Sequence, residues 1–141
     1  MIITMVPTDM VDVVWKDARP VLARAVATVK DKFFVDDIRD AAKRGELMLW
    51  LVYDRNELMG AFTTRIIDYP AGHAMALDWV AGHNLSEWID EGLKIMERYA
   101  REYNCKHLEG YGRRAWDRIM SKHGWKQEYV AFRKDLEVID G

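Results

Sequence analysis

Cysteine, proline and long hydrophobic runs are all scarce in this sequence of 141 residues. The single cysteine, Cys105, excludes an internal disulfide and any site built from several thiolates, which is typical of proteins of the reducing cytoplasm. No apolar run approaches the length that crosses a bilayer, and Pro7 and Asp9 interrupt the N-terminal segment too early for a secretory signal. We therefore expect a cytoplasmic protein without a membrane segment.

Charge of either sign is also not in excess, because the formal net charge is only −2. Such a chain has no general attraction to nucleic acid. Arg114, Arg118 and Lys122 form one basic stripe at four-residue steps, which we interpret as a solvated helix face because a nucleic-acid footprint needs a larger basic surface. The four histidines lack the close spacing of a metal-ligand pair, so neither nucleic acid nor a metal is an expected partner.

What the sequence does contain is apolar and aromatic residues in globular proportions. Half of the residues are hydrophobic, and there are 6 tryptophans and 6 tyrosines. This composition shows no signature of disorder, and the length suits one hydrophobic core. We predict a single domain over residues 1–141.

The N-terminal part of the chain is predicted to be one strand followed by helices. A β-branched run at residues 2–6 is typical of a short strand. A helix is predicted to start near Met10, to end or kink at Pro20 and to continue as a second helical piece. A third short helix, VDDIRDAAKR, stops at Gly45, where a left-handed residue costs little.

The middle of the chain changes to the pattern of β-strands. LMLWLVY and LMGAFTTRII flank the turn DRNE and predict a hairpin, in which Gly60 indicates a bulge or a close backbone approach. A third strand, HAMALDWVA, follows a second turn. Its alternation predicts two faces, with Met75, Leu77 and Trp79 on one and Ala76, Asp78 and Val80 on the other.

The last part of the chain is predicted as helix, strand, helix and strand. Apolar residues recur at three- and four-residue steps from Leu85 to Tyr103, which is the clearest helical pattern in the sequence. A short strand KHLEGY, a helix RAWDRIMSKH ending at Gly124 and a final strand over residues 126–136 follow. This order indicates a mixed sheet with helices on its faces.

The order of elements and the closing stretch HGWKQEYVAFRKDL resemble the GNAT superfamily of acyl-CoA-dependent N-acyltransferases, over nearly the whole chain. Gly60 in the third strand, and Gly124 with Trp125 before the closing strand, match glycines that the family often has. The stretches GELMLWLVYD, GRRAW and HGWK are similar to short GNAT-like proteins of tailed bacteriophages and prophages. The resemblance implies an α+β fold with a mixed, mostly antiparallel sheet of about six strands and helices on both faces.

The resemblance also implies where acetyl-CoA binds. GNAT enzymes usually hold the pyrophosphate in a glycine-rich loop at the start of the helix after the fourth strand, a region that here reads GHNLSEWIDE and keeps only Gly82. The cofactor-binding residues it implies are Val80, Ala81, Gly82, His83, Asn84, Leu85 and Ser86. Asn84 and Glu87 match a capping box, in which side chains occupy the amides that a phosphate needs. We therefore expect a side-chain-capped turn and a degenerate pyrophosphate loop.

For catalysis, the resemblance implies a base for the amine and a proton donor for the leaving thiolate. Asp78 on the fourth strand and Glu109 on the fifth are the candidate bases, with Glu109 favoured. Either acid also fits the polar face of a half-covered sheet. The family's usual tyrosine donor corresponds to Met120, which cannot donate a proton, so Tyr111 at the end of the fifth strand is the candidate donor.

Two functions remain open from the sequence. The first is an N-acetyltransferase that uses acetyl-CoA and an unknown amine. The second is an inactive GNAT-like protein that serves as a phage virion component or binds a phage or host protein through exposed aromatic residues. Trp88 and Trp116 are the tryptophans whose exposure the pattern leaves undecided.

Overall fold

The computed structural model describes residues 1–139, and the chain separates into two compact units, of which the first is Met1–Tyr111 and the second begins at Gly112. The first unit contains a five-stranded sheet in the order β1-β2-β3-β4-β5 and three α-helices. Its elements are β1 (Ile2–Met5), α1 (Val11–Val26), α2 (Val35–Lys43), β2 (Met48–Asp54), β3 (Glu57–Tyr69), β4 (Gly72–Gly82), α3 (Leu85–Glu102) and β5 (Cys105–Gly110).

The sheet is mixed, because β1 to β4 pair antiparallel and β5 runs parallel to β4. The predicted hairpin is confirmed, and its turn residues Arg55 and Asn56 both have positive φ, as a two-residue turn that follows the strand twist requires. The α+β fold class is thereby confirmed, with five strands in residues 1–139 where about six were expected.

Helix α1 runs through Pro20 without a break, so of the predicted end or kink at this proline the end is wrong. Proline removes one intrahelical hydrogen bond, and that loss is local. On either side of Pro20, the buried residues Trp15, Ala18 and Leu22 keep the helix against the sheet. Tertiary packing therefore overrides the local helix breaker.

The helices lie on opposite faces of the sheet. Leu49 and Leu51 of β2 belong to the core cluster that also contains the buried residues of α1 and α2. Trp50 between them points the other way, where its ring lies 5.5 Å from Tyr99 of α3 and its indole N–H donates to Thr64 Oγ1 at 2.9 Å. This alternation is the strand period of two, and it confirms helices on both faces.

A β-bulge at Asp78 changes which way the end of β4 faces. Thr63 pairs with Trp79 and Thr64 pairs with Leu77, so Asp78 is the extra residue. As a result Trp79 packs against the α1 and α2 cluster, whereas Leu77 and Val80 line a small cavity beside α3. The predicted alternation of β4 is therefore wrong beyond Leu77.

The second unit contains a short helix α4 (Trp116–Met120) and a 3-10 turn (Ser121–His123), which end at Gly124 with φ of 84°. The predicted helix and its glycine stop are confirmed. The predicted final strand over residues 126–136 is wrong, because residues 125–139 have no regular secondary structure. A strand needs a partner edge for its backbone, and residues 112–139 contain no other strand. This segment exposes large apolar side chains, which are Tyr129, Val130, Phe132, Leu136, Val138 and Ile139.

Candidate active site

The parallel strands β4 and β5 stop pairing in the middle of β4. Their register runs from His73 beside Cys105 to Leu77 beside Gly110, and β4 then continues to Gly82 paired with β3 alone. Beyond Leu77, one edge of β4 is therefore free of strand partners within the described part of the chain. A strand edge of this kind presents backbone groups to a ligand.

Asp78, one of the predicted bases, lies where the two strands stop pairing and is held by Arg65 of β3. The guanidinium donates to both carboxylate oxygens, at 2.8 and 3.2 Å, and the Asp78 side chain is only 19% exposed. The hydrogen bond with Asp78 raises the pKa of Arg65 above its usual value, despite the opposing effect of partial burial. Asp78 is therefore one half of a bidentate ion pair.

Glu109, the favoured base, belongs to a second cluster of polar side chains in the same part of the sheet. The Tyr69 hydroxyl donates to the two Glu109 carboxylate oxygens, at 2.9 Å each, and His107 Nε2 lies 3.0 Å from Oε1. The rings of Tyr69 and His107 stack with centroids 6.2 Å apart. We refer to Tyr69, His107 and Glu109 as the Glu109 cluster.

Arg65 connects the three predicted catalytic residues electrostatically. After the hydrogen bond with Asp78, the negative charge of Glu109 also raises the pKa of Arg65, as does that of Tyr111 in its ionised form. Tyr111 itself is exposed and follows β5 directly. The structure thus gathers Asp78, Glu109 and Tyr111 around one guanidinium, whose role is not apparent from the sequence.

Sequence reasoning missed Tyr69 and His107 as well as Arg65. The one available signal for His107 is its position two residues before Glu109, since residues two apart on a strand share a face. Tyr69 lies at the end of β3, 40 residues before Glu109, and no local pattern joins the two.

The turn between β4 and α3 is not capped by side chains, so the predicted capping box is wrong. Asn84 has left-handed backbone angles, φ 52° and ψ 42°, and within the described residues no side chain caps the helix start. A capping side chain ordinarily needs an extended residue at this position, because only that geometry aims its oxygen at the first-turn amides.

Main-chain bonds occupy only some of the amides in this turn. His83 donates to the Met59 carbonyl at 3.0 Å, and Glu87 donates to the Asn84 carbonyl at 2.9 Å. Among residues 1–139, no hydrogen bond is made by the amides of Leu85 and Ser86. The N-terminus of an 18-residue helix therefore presents two free donors.

Trp88 fixes this turn from inside the protein. It is fully buried, and its indole N–H donates to the His83 carbonyl at 3.2 Å. Gly60 makes room for it, because a Cβ there would lie 2.5 Å from Trp88 Cζ2. Gly82 has φ of 139°, and a Cβ there would lie 2.6 Å from Gly60 Cα. Since Trp88 is buried, it is not available as the exposed aromatic surface considered from the sequence.

The space between α3 and the sheet does not provide a cofactor pocket. The cavity there measures about 10 Å³ and is lined by Phe62, Leu77, Val80, Trp88 and neighbouring α3 side chains. That volume is at the lower limit for one water molecule. Of the predicted cofactor-binding residues, Val80, Ala81 and Gly82 are paired with β3. A cofactor therefore does not fit between α3 and the sheet.

Within residues 1–139, no group of three or more His, Cys, Asp or Glu side chains is arranged to hold a metal ion. None of the described helices combines the length and the apolar character needed to cross a bilayer.

Comparison with known proteins identifies the fold. No protein-family model and no curated protein matches the sequence. Among solved structures, an aminoglycoside acetyltransferase from a soil metagenomic sample, in complex with sisomicin, superposes with a TM-score of 0.70 at 9% identity over 96% of each chain. A GNAT family acetyltransferase from Staphylococcus aureus gives 0.65 at 12% identity over 96% of this chain and 98% of that one.

A third solved structure carries the cofactor. A predicted acetyltransferase from Clostridium acetobutylicum, with acetyl-CoA, superposes with a TM-score of 0.66 at 10% identity over 95% of each chain. At these identities the likeness establishes the fold and not the activity. This chain has the GNAT acetyltransferase fold.

Proposed function

We propose that this protein is an acetyl-CoA-dependent N-acetyltransferase of phage or prophage origin, with a degenerate pyrophosphate loop and an amine as acceptor. The observation that carries the proposal is the pair of free amides at Leu85 and Ser86. They lie at the positive end of α3, directly after the free edge of β4, and a helix N-terminus with free N–H groups favours phosphate. The GNAT fold of the chain supports the same cofactor.

The loop is degenerate in a specific sense. The amides of His83 and Glu87 are already bonded to carbonyls, so two donors remain where a glycine-rich loop offers more. Glu87 in the first turn of α3 also adds negative charge, which opposes an incoming phosphate. We expect acetyl-CoA to bind with micromolar rather than tighter affinity.

In the reaction we propose, the Glu109 carboxylate takes a proton from the acceptor ammonium. The neutral amine attacks the thioester carbonyl, a C–N bond forms, and the C–S bond breaks. Tyr111 is the candidate donor of the proton that the leaving thiolate takes up, and the second proton of the attacking nitrogen then restores the Tyr111 hydroxyl. Asp78 keeps both oxygens on Arg65 and holds this cation beside the reacting groups. The phage origin rests on the resemblance of GELMLWLVYD, GRRAW and HGWK to phage-encoded proteins.

The test is calorimetric titration with acetyl-CoA of the wild type and of two proline variants. Ser86→Pro deletes one free amide in the first turn of α3, where proline is tolerated. We expect the affinity to fall about tenfold, since a hydrogen bond to a charged group contributes about 1.5–3 kcal/mol. Val35→Pro places the same residue in the first turn of α2, after the extended residue Phe34, and should leave the affinity unchanged.

Absence of any binding by the wild type at millimolar acetyl-CoA would overturn the proposal. The non-catalytic role with a phage or host protein would then be the remaining hypothesis, and detection of the protein in purified virions would support it.

A further inference from the structure

The Glu109 cluster contains more than the single base that acyl transfer requires. Glu109 has two hydrogen-bonding partners in residues 1–139, the Tyr69 hydroxyl and His107 Nε2. Of the two, only an imidazole accepts a proton near neutral pH, whereas a tyrosine hydroxyl serves as a donor to a carboxylate. A protonated Glu109 therefore has one titratable acceptor in contact with it.

Exposure increases from Glu109 to His107. The Glu109 side chain is 12% exposed, whereas the His107 side chain is 51% exposed. The Tyr69 ring stacks on His107 while its hydroxyl bonds Glu109, so one side chain fixes both partners. The pair thus joins a nearly buried carboxylate to a ring that reaches solvent.

Among the described residues that face Glu109, His107 is the direct acceptor for the proton of this carboxyl group. On β4, the residues paired with His107 and Glu109 are Ala74 and Ala76, which carry no charge. On β3, Arg65 acts electrostatically on Glu109 but keeps its hydrogen bonds with Asp78. As a cation it is a donor and cannot accept a proton.

The His73 imidazole lies outside the Glu109 cluster. Its Nδ1 is 3.3 Å from the carboxylate of Asp68, its pairing partner on β3. The alternation of β3 places Asp68 on the face opposite to Arg65 and Tyr69.

We propose that His107 is a proton-relay residue that carries the proton of the acceptor amine from Glu109 to solvent. This inference rests on the proposed acetyl transfer. Glu109 removes the proton from the ammonium and passes it to Nε2 of the neutral ring. The resulting imidazolium releases a proton from Nδ1 to water, and exchange with water restores the starting tautomer. No proton is consumed in the relay, and Glu109 returns to its carboxylate form for the next turnover.

The experiment compares His107→Gln with His73→Gln. Glutamine keeps a hydrogen-bonding group next to Glu109 but does not relay a proton, and His73→Gln removes a similarly exposed imidazole beside a carboxylate elsewhere. Turnover is followed by CoA release with acetyl-CoA and three acceptors: spermidine, an aminoglycoside and a peptide with a free N-terminal alanine. Binding of acetyl-CoA is measured on each variant by calorimetry.

We expect His107→Gln to lower kcat about tenfold at pH 7 with little change in KM. This is less than the roughly 10²–10⁴-fold contribution of a primary acid–base group, because water partly replaces the relay. A relay through histidine also adds an acidic limb to the pH profile of kcat, because a ring that is already protonated accepts no proton. This limb should vanish in His107→Gln and persist in His73→Gln. Added imidazole should restore turnover to His107→Ala.

The outcomes separate the two proposals. If the wild type turns over any acceptor and His107→Gln keeps its rate and acidic limb, the relay is wrong and the acetyltransferase stands. Loss of rate in His107→Gln that imidazole does not restore in His107→Ala also overturns the relay, because it indicates a structural role. If the wild type neither binds acetyl-CoA nor turns over an acceptor, the proposed function fails and the relay fails with it.

Discussion

The starts of α2 and α3 have similar polar groups but use them differently. In both helices the third residue is acidic and its amide donates to the carbonyl of the residue before the helix, from Asp37 to Phe34 and from Glu87 to Asn84. In α2 the Asp37 carboxylate also accepts the Phe34 amide at 3.3 Å. Within the described residues, Glu87 makes no such return bond, and α3 begins without a side-chain cap.

The difference lies in one backbone conformation. Phe34 is extended, with φ −113° and ψ 140°, which directs its amide toward the first turn of α2. Asn84 is left-handed, with φ 52° and ψ 42°, so its amide and side chain point elsewhere. A helix start is thus closed by its own carboxylate in α2 and left open to an external anion in α3. The acidic third residue alone does not decide whether a helix start is closed or open.

The largest expected effect comes from disrupting the close contact between Gly82 of β4 and Gly60 of β3, which precedes the turn that contains Asn84. Gly82→Ala puts a Cβ 2.6 Å from Gly60 Cα at a φ of 139°, which combines overpacking with backbone strain. We expect the free energy of unfolding to fall by about 3 kcal/mol or more, measured by urea denaturation. Acetyl-CoA binding should be lost as well.

Gly45→Ala is the matched control for this substitution. Gly45 also has positive φ, 74°, but a Cβ there meets nothing within 4 Å. Its cost should be that of a left-handed alanine alone, about 1–2 kcal/mol. Equal losses of unfolding free energy in the two variants would show that the close approach of β3 and β4 does not constrain the turn at Asn84.

A smaller effect is expected when the acidic residue is removed from each helix start. Asp37→Ala should lower the free energy of unfolding by about 1 kcal/mol, because it deletes the return bond to Phe34. Glu87→Ala should change stability less and should tighten acetyl-CoA binding, since it removes a negative charge beside the free amides. Equal stability losses, with unchanged cofactor affinity, would contradict the contrast between the two helices.

The smallest effect is expected at low pH, where the ion pairs that join α2 to α1 should weaken. Hydrogen bonds from Lys43 and Arg39 hold the pKa of Asp12 below its ordinary value of 3.8. A carboxyl whose pKa is lowered by folding stabilises the protein above pH 3.8, and that stabilisation is lost as pH falls through the folded pKa. The stability difference between wild type and Asp12→Asn should therefore be present at pH 6 and shrink below about pH 3.8. If the stability difference between the two proteins stays constant on acidification, the ion pair is not its cause.

Local patterns of the sequence predict the elements and the place of the candidate site, but not its details. The stop at Gly45, the hairpin and the helix from Leu85 follow from turn residues and periodicity, which act over short distances. The left-handed Asn84 depends instead on the close contact between β3 and β4. The contact of Tyr69 with Glu109 depends on a crossover of 40 residues. Such features arise from tertiary structure.

The bulge at Asp78 has a consequence for every later residue of β4. It inserts one residue into β4, and every side chain after it faces the side of the sheet opposite to the one that simple alternation assigns. If Asp78 instead paired regularly with Thr63, Trp79 and Val80 would exchange faces, with the indole toward α3 and the valine toward α1. The bulge thus decides which of these two side chains packs in the α1 and α2 cluster and which faces α3.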